Sequence, residues 1–301
     1  MHRRRFLAAT ASAAALWPVR KVIAGTDIGT GRLETVSDGH LVLPGAFVFG
    51  TMPQDGLQPI IDAFDLDRDA VTPECNLTLY RDADRLVLFD VGSGPDFMPT
   101  AGKVIENLAA LGLAPEDVTD VLFTHAHPDH IWGLLDAFDE PVFANASYRM
   151  GRTEWDYWWD PQTVDTIGAE RQAFAVGARR RMEVIEDTVT LFDDGEEVLP
   201  GIAAMASFGH TPGHMAFEIR QGNDAALVVG DAIGNHHVAF VQPDWPSGSD
   251  QDPQAAIAAR TRLLDRLANE DVAMVGFHLP QGGMGRAERT GGAYRFVPEG
   301  A

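Results

Sequence analysis

The sequence predicts a mixed α/β fold, in which short buried strands and helices follow one another along most of the chain. Short apolar segments rich in strand-forming residues are separated by segments whose apolar residues have helical spacing. Several of the apolar segments lead directly into histidine or aspartate, and the 45% apolar content is enough to fill a core. These observations predict polar side chains gathered where the strands end.

Residues 1–24 are predicted to be a twin-arginine signal peptide rather than part of the fold. The run Arg3–Leu7 fits the pattern R-R-x-F-L, and an alanine-rich apolar stretch from Ala8 to Trp17 follows it. Small residues near Ala24 offer a cleavage site. We therefore expect a periplasmic or secreted protein, without stable membrane association after processing.

Residues 25–301 are predicted to form a single domain of strongly acidic character. The whole chain has a formal charge of −21. Without residues 1–24, which hold five Lys and Arg, 18 basic residues remain against 44 acidic ones, a charge of −26. A body with this charge repels nucleic acid and anionic lipid, so neither is expected as a partner.

The chain contains a single cysteine, Cys75. One cysteine excludes an internal disulfide framework and any zinc finger built from cysteines. We expect Cys75 to be a small buried core residue that lies away from the motifs described below.

The first third of the chain contains two expected strand pairs and one helix. The pattern from His40 to Gly50 predicts a strand pair, whereas residues 51–74 have no clear period and are expected to be a loop. Asn76–Tyr80 and Arg85–Asp90 predict a hairpin. Ala101–Leu111 has the apolar spacing of an amphipathic helix.

The next strand leads into the most informative stretch of the sequence. Val121–Phe123 reads as a buried strand, and four potential metal ligands follow: His125, His127, Asp129 and His130. Because alternate side chains of an extended segment share a face, the first two histidines could bind one ion together. Pro128 then breaks the strand, so that the other two residues could be directed to a second point nearby.

Beyond these residues a helix is expected from Ile131 to Phe138. The aromatic run 155–159 is too dense to place every ring on one helical face, so at least one ring is expected to be exposed or to line a cleft. Residues 165–183 are predicted to be helical.

Three further strands end at polar residues. Ile202–Phe208 leads into the segment 209–214, Gly-His-Thr-Pro-Gly-His. Ala225–Val229 ends at Gly230 and Asp231, and Val272–Phe277 is followed by His278. A helix that starts at Asp252 and Pro253 is expected between the last two strands.

The strings H-x-H-x-D-H at residues 125–130 and G-H-T-x-G-H at 209–214 resemble the metallo-β-lactamase superfamily. The resemblance covers roughly residues 40–298. It implies an αββα sandwich of two mixed sheets flanked by helices. It also implies a set of metal ligands, formed by His125, His127, Asp129, His130, His210, Asp231 and His278. His214 matches a position that is usually structural and is not counted as a ligand.

The ligand set implies a metal-dependent hydrolase with two Zn²⁺ ions, and Mn, Fe or Co would also be compatible. Such a centre uses a metal-bound hydroxide to attack an ester-type bond. Asp129 or Asp231 is expected to orient the nucleophile or to accept its proton. The presence of Asp231 together with His278 argues against a true β-lactamase.

Within the superfamily the chain most resembles the methyl-parathion-hydrolase and lactonase-like branch. Phe97 and Trp158 match aromatic positions of the substrate cleft of that branch. A tyrosine that lactonases place after the bridging aspartate is absent here, and either His236 or His237 could replace it. The expected substrate is a small neutral ester, namely a lactone, an aryl ester or an organophosphate triester. A homodimer is left open.

Two alternatives remain from the sequence. A glyoxalase-II-like thioesterase would share all seven ligands and would use basic residues near the carboxyl terminus, such as Arg286 and Arg289, for an anionic thioester. Arg295, in a predicted strand, is less well placed for this role. A non-catalytic metal-binding protein is the alternative from a different functional class.

Overall fold

Two seven-stranded sheets form the centre of the computed structural model, which describes residues 24–299. The first sheet has, in spatial order, β1 (Gly25–Ile28), β2 (Gly31–His40), β5 (Glu74–Asp82), β6 (Arg85–Phe89), β7 (Asp120–Phe123), β8 (Ser147–Gly151) and β9 (Thr190–Phe192). The second has β10 (Glu197–Leu199), β11 (Ile202–Ala206), β12 (Met215–Gln221), β13 (Asp224–Gly230), β14 (Ala273–Gly276), β15 (Met284–Thr290) and β16 (Ala293–Pro298). β3 (Leu43–Pro44) and β4 (Ala70–Val71) form a separate short pair.

Helices cover the outer faces of both sheets. They are α1 (Gly45–Phe49), α2 (Gln54–Phe64), α3 (Val104–Ala110), α4 (Pro128–Ile131), α5 (Arg152–Trp159), α6 (Thr163–Thr166), α7 (Gln172–Ile185), α8 (Val238–Val241) and α9 (Pro253–Glu270). Apolar residues of α3, α5 and α7 pack against the first sheet. Those of α8 and α9 pack against the second sheet. The order of layers is therefore helix, sheet, sheet, helix, which confirms the predicted αββα arrangement.

The main apolar core lies between the two sheets. Along β6, Val87 and Phe89 point into this core, whereas Leu86 and Leu88 point toward the outer helices. This alternation is the period of two that a strand buried on both faces requires. Phe89 meets Phe217 of the opposite sheet edge to face, with ring centroids 5.3 Å apart. The sheets are thereby held together close to the strand ends that matter for function.

Parallel pairing brings the carboxyl ends of the central strands to one edge of the molecule. β6, β7, β8 and β9 are parallel neighbours in the first sheet, and β13 and β14 are parallel in the second. Both sheets are mixed, because their remaining pairs are antiparallel. The segments that follow β7, β13 and β14 therefore leave the sheets on the same side.

Residues 40–74 differ from the prediction. Only Leu43–Pro44 is extended within the expected strand pair, and α1 follows it directly. The expected loop contains α2, which buries Leu57, Ile60 and Ile61 in a small apolar cluster with α8. The helical spacing of these three residues was present in the sequence. Pro59 inside the helix masked it, because proline usually interrupts helices.

The prediction of a helix over residues 131–138 is also wrong. α4 ends at Ile131, and one short 3₁₀ turn reaches Leu134. The chain then turns at Asp136, whose carboxylate accepts hydrogen bonds from the backbone N–H groups of Phe138 and Glu140. Asp commonly closes turns in this way, and the turn competes with helix continuation.

Other expectations are confirmed. β5 and β6 form the predicted hairpin, and α3 lies within the predicted helix. α9 begins at the Asp-Pro sequence, where the Asp252 carboxylate accepts from the N–H groups of Gln254 and Ala255. The signal-peptide prediction lies outside the described residues except for Ala24, and the single domain over residues 25–301 stays a prediction. Within residues 24–299, no helix combines the length and the apolar character needed to cross a membrane.

Candidate metal centre

Three histidines converge at the edge where the parallel strands end. His127 Nδ1 lies 3.0 Å from His125 Nε2 and 2.9 Å from His210 Nε2, and all three side chains are buried. Tetrahedral zinc, with Zn–N bonds of about 2.0–2.1 Å, places its ligand nitrogens about 3.3 Å apart. The three nitrogens are therefore arranged around a point where a cation would fit. His125 and His127 follow β7 and His210 follows β11, so both sheets contribute.

A second group lies beside the first and contains Asp129, His130, Asp231 and His278. His278 Nε2 lies 3.2 Å from Asp129 Oδ2 and 3.2 Å from Asp231 Oδ2. His130 Nε2 lies 3.6 Å from Asp129 Oδ2 and 3.5 Å from Asp231 Oδ1. Within the described residues, Asp129 Oδ2, His130 Nε2 and Asp231 Oδ1 are buried without a hydrogen-bond partner. Buried polar atoms are rarely left unsatisfied, so these three indicate a bound group at this point.

Asp231 lies between the two groups. Its Oδ2 is 3.3 Å from His210 Nε2 in the first group and 3.2 Å from His278 Nε2 in the second. A carboxylate in this position can bridge two cations. The structure thus brings together all seven residues that the sequence predicted as ligands.

Groups behind the imidazoles fix their orientation. Asp90 Oδ2 lies 2.8 Å from His130 Nδ1, and Asp250 Oδ1 lies 3.3 Å from His210 Nδ1. The backbone carbonyl of Glu74 lies 2.8 Å from His278 Nδ1. An acceptor at Nδ1 keeps a proton on that nitrogen, so Nε2 is the atom through which the imidazole would bind a cation. Carboxylates and carbonyls in this outer position are typical of histidine–metal centres.

Asp90 also holds the loop after β7. Its carboxylate accepts hydrogen bonds from the backbone N–H and the hydroxyl of Thr124, both at 2.8 Å. Asp90 has a φ of +64°, in the left-handed region that is unfavourable for residues other than glycine. Such a conformation persists only where the surroundings enforce it, and it commonly occurs at functional sites.

The charges of the cluster call for a cation. Burial lowers the pKa of His125 and His127, which keeps both imidazoles neutral. Burial alone would lower the pKa of His130 too, but Asp129 and Asp231 raise it to about 10. Burial would likewise raise the pKa of Asp231, yet His278 and His130 hold it well below its usual range. The buried carboxylates thus stay ionised and attract positive charge, which protons or divalent cations can supply.

Glu154 connects the two loops that carry the first three histidines. Its Oε1 accepts hydrogen bonds from the backbone N–H of Ala126, at 2.9 Å, and from the indole N–H of Trp158, at 2.6 Å. Its Oε2 accepts from the Thr211 hydroxyl at 2.7 Å and from the Gly213 N–H at 3.0 Å. Ala126 lies between two of the histidines, and the other loop contains the third. One buried carboxylate therefore sets the distance between them.

A cavity of about 450 Å³ opens onto the cluster. Its base contains five of the seven converging residues: His127, Asp129, His210, Asp231 and His278. One wall comes from the segment 41–71 and is mainly apolar, although Asp65 and Asp67 of this segment line the cavity too. Its apolar residues are Leu41, Leu43, Phe47, Val48, Leu66 and Val71. Phe97 and Phe174 lie on the cavity as well. The remaining rim is polar and includes Arg171, Asn235, His236 and His237.

The two predicted substrate-binding residues have different outcomes. Phe97 lines the cavity, where its ring packs edge to face against Trp132 and Phe174. Trp158 does not line it. This side chain is 1% exposed and lies behind His127, with its indole N–H used by Glu154. Direct substrate contact by Trp158 is therefore not part of the function proposed below.

The expectation that Cys75 lies away from the motifs is wrong. Cys75 is fully buried, as predicted, but its Sγ lies within 4.8 Å of ligand atoms of Asp129 and His278. Burial raises the pKa of its thiol to about 12. No local sequence pattern predicts this proximity, because β5 and the segments that hold the other two residues are far apart along the chain.

His214 belongs to the second motif and was not counted as a ligand. It stabilises the site through hydrogen bonds to neighbouring residues. Its Nε2 accepts a hydrogen bond from the Asp231 backbone N–H at 3.0 Å, and its Nδ1 lies 2.8 Å from the Ser207 hydroxyl. Both ring nitrogens are thus used within the protein. Its place in the molecule is to fix the backbone of Asp231.

Residues 72–277 match the family model described as the metallo-beta-lactamase superfamily. The chain belongs to the metallo-β-lactamase superfamily. The histidine and carboxylate cluster of this superfamily member is accordingly a divalent-metal site.

The chain is also similar in sequence to two curated proteins. An uncharacterised protein of Mycobacterium tuberculosis is 28% identical over 235 residues, which cover 74% of this chain and 91% of that protein. The N-acyl homoserine lactonase AttM of Azorhizobium caulinodans is 27% identical over 128 residues, 42% of this chain and 44% of AttM. The latter match thus spans less than half of the lactonase.

A solved structure shows the same fold over almost the whole chain. AidC, a dizinc quorum-quenching lactonase in complex with a product, superposes with a TM-score of 0.86 at 24% identity. The superposition covers 92% of this chain and 97% of AidC. A superposition of this extent shows that the two chains share one fold.

We predict that Glu154→Gln weakens the binding of cations by the first three histidines. All four partners of Glu154 are donors, so an amide NH₂ group in place of one oxygen would face two of them. The zinc affinity of this group should fall about 10- to 100-fold, and the free energy of unfolding should fall by about 1–3 kcal/mol. Chelator competition and urea unfolding measure the two effects.

Glu183→Gln is the control for this experiment. Glu183 lies on α7, where it forms an exposed pair with Arg179, and its loss should change neither quantity appreciably. Unaltered zinc affinity in a folded Glu154→Gln protein would show that the carboxylate does not position the histidines.

Proposed function

We propose that this metallo-β-lactamase superfamily hydrolase binds two Zn²⁺ ions and hydrolyses small neutral esters that carry an apolar group. The observation that carries the proposal is the cavity, which is lined both by apolar residues and by five of the seven convergent ligand residues. Lactones, aryl esters and organophosphate triesters all belong to this substrate class.

The ligands divide naturally between two positions. His125, His127 and His210 would hold the first cation, and Asp129, His130 and His278 would hold the second. Asp231 would bridge them. Bound cations would supply Lewis acidity, which lowers the pKa of a water molecule toward about 7 and polarises the ester oxygen. Mn, Fe or Co could occupy the same nitrogen and oxygen ligands.

The carboxylates of the site would handle the proton of the attacking water. Asp129 and Asp231 each have an oxygen atom without a hydrogen-bond partner in the described structure, directed into the cluster. The charge of His130 and His278 keeps the pKa of both carboxyl groups below the usual range although burial opposes this. An ionised carboxylate at this point can orient the water and accept its proton.

His236 and His237 could donate hydrogen bonds to a substrate bound in the cavity. Both line the cavity, in the segment after Asp231 where lactonases have a tyrosine. Burial lowers the pKa of both, to about 3 for His237, so each imidazole is neutral near pH 7. A neutral imidazole can donate a hydrogen bond to an ester oxygen without attracting anions.

The walls of the cavity favour a neutral, apolar substituent. Burial of apolar surface contributes roughly 25 cal/mol per Å², and the wall of residues 41–71 together with Phe97 and Phe174 provides such surface. The acidic body lowers the local concentration of anionic substrates, whereas a neutral ester is unaffected. Resemblance to the lactonases AttM and AidC supports the same substrate class.

The thioesterase alternative has less support. Its expected anion-binding residues are used elsewhere: Arg286 bonds Asp271, Arg289 bonds Asp265, and Arg295 bonds Glu288. None of the three arginines lines the cavity. Arg171 does, but its guanidinium donates to the carbonyl of Gly248. A non-catalytic metal protein is disfavoured too, because the cluster opens onto a cavity of substrate size.

Metal content tests the two-cation proposal. Reconstituted protein should contain about two zinc equivalents per chain. His127→Ala and His278→Ala should each lower this to about one, because each removes a ligand from a different group. Elemental analysis after gel filtration measures the ratio, with His40→Ala as a control outside the cluster. A single equivalent in the fully active parent protein would contradict the proposal.

Substrate preference tests the apolar wall. Leu43→Asp should raise KM for long-chain or aryl esters roughly tenfold or more while leaving KM for an acetate ester nearly unchanged, because only the larger groups reach the wall. Val42→Asp is the matched control, since Val42 is exposed and does not line the cavity. Equal effects on both substrates, or preferential cleavage of anionic thioesters by the parent protein, would count against the proposal.

We also propose that residues 1–24 direct export through the twin-arginine route, on the strength of the R-R-x-F-L pattern. Replacing Arg3 and Arg4 together with lysine should retain the precursor in the cytoplasm, although the charge is unchanged. Arg5→Lys, at the variable position, should be exported normally. Cell fractionation measures the periplasmic yield of the parent protein, the double variant and Arg5→Lys. Equal yields from all three would show that the arginine pair does not direct export.

A further inference from the structure

A sulfur atom, Cys75 Sγ, lies beside the second group of ligand residues and has no role in the proposed hydrolysis. Cys75 Sγ, a carboxylate oxygen of Asp129 and an imidazole nitrogen of His278 lie within 4.8 Å of one another. Cys75 is 0% exposed, and Asp129 is buried as well. A thiol, a carboxylate and an imidazole at these distances can share one cation.

The position of Cys75 is fixed by contacts between β5 and the loop that holds His278. Asn76, the next residue, donates through Nδ2 to the carbonyls of Phe277 at 3.1 Å and Leu279 at 2.9 Å. Its backbone N–H also donates to the carbonyl of Phe277, at 2.9 Å. β5 therefore cannot move away from the loop without the loss of several buried hydrogen bonds, so Sγ is held beside the cluster.

A second observation points to a ligand at this place. Asp129 Oδ2 is buried without a hydrogen-bond partner in the described structure and lies 3.2 Å from His278 Nε2. The carbonyl of Glu74 occupies the other nitrogen of His278. The side chains of Asp129 and His278 thus meet at a place where Asp129 Oδ2 lacks a partner in the described structure and where Cys75 Sγ lies within 4.8 Å of a ligand atom of each.

We propose that Cys75 is a thiolate ligand of the cation held by Asp129 and His278, which makes this position selective for soft divalent metals. On binding, the sulfur–hydrogen bond breaks, the proton passes to solvent water, and the sulfur lone pair forms the bond to the cation without any change of oxidation state. Thiolate ligands favour Zn²⁺, Co²⁺ and Cd²⁺ over Mn²⁺ and Mg²⁺. The inference rests on the proposed two-metal function and extends it to the choice of metal.

Cobalt substitution provides the test. Metal-free protein is reconstituted with Co²⁺, and its absorption is recorded in the visible and near-ultraviolet regions. Cys75 is the only cysteine of the chain, so a thiolate-to-cobalt charge-transfer band can come from no other residue. We expect this band in the parent protein as the second equivalent binds, and its loss in Cys75→Ser with the visible cobalt bands retained. The decisive observation is whether the parent protein shows the band, so the test does not depend on the stability of the variant.

Metal selectivity gives a second readout. Cys75→Ser should weaken binding of the second Cd²⁺ at least about tenfold, since loss of even an outer partner costs this much, while Mn²⁺ affinity changes little. Thr78→Ser, a buried position on the same strand, should leave both affinities unchanged. Two bound cobalt ions without a charge-transfer band would overturn the role of Cys75 and leave the two-metal function intact. Failure to bind a second cobalt would overturn both.

Discussion

The rest of the molecule depends on two buried carboxylates, Asp129 and Asp231, whose negative charges must be compensated. Ionised groups inside a protein are costly unless opposite charge and directed bonds compensate for the lost water. When protons supply this opposite charge, they bind His130 and His278, whose pKa values the two carboxylates raise although burial lowers them. Divalent cations supply more charge and bind the same atoms. Cation binding would therefore contribute to the folding free energy of this chain as well as to its chemistry.

The sheets alone cannot place seven ligands, because every ligand lies beyond the end of a strand, in a loop, a turn or the short helix α4. Buried carboxylates outside the cluster perform this task. Asp90 fixes His130 and the loop after β7, Asp250 fixes His210, and Glu154 joins the two loops. Asp250 is itself close to a guanidinium group, with Arg260 Nη1 at 3.4 Å. The left-handed backbone of Asp90 shows that this arrangement outweighs a local conformational cost.

One part of the site could be predicted from local signals in the sequence. His125, His127, Asp129 and His130 follow one apolar strand within six residues, so strand alternation and residue type indicated metal binding there. The remaining ligand positions and the αββα layers were expected from the resemblance of two motifs to the metallo-β-lactamase superfamily. Signals of this kind survive without knowledge of the tertiary structure.

The supporting residues could not be predicted in this way. Glu154 and Cys75 act through partners that are distant in sequence, and nothing in their own segments distinguishes them from ordinary helix and strand residues. Trp158 illustrates the opposite error, because an aromatic ring at a matching sequence position turned out to be buried behind a histidine. The spacing of residues along a helix predicts which of them share a face, but it does not predict which other parts of the chain cover that face.

The apolar wall of the cavity is separate from the residues that hold metal. Its segment, 41–71, precedes the region matched by the family model, which begins at residue 72. It is nevertheless anchored to the catalytic edge, since α1 and α2 pack against α8 and their rings meet His236 and His237, a few residues after Asp231. The ligands are oriented from the other side, by Asp90 and Glu154. Substitutions in the wall can therefore change which ester fits while the geometry of the metal centre stays the same.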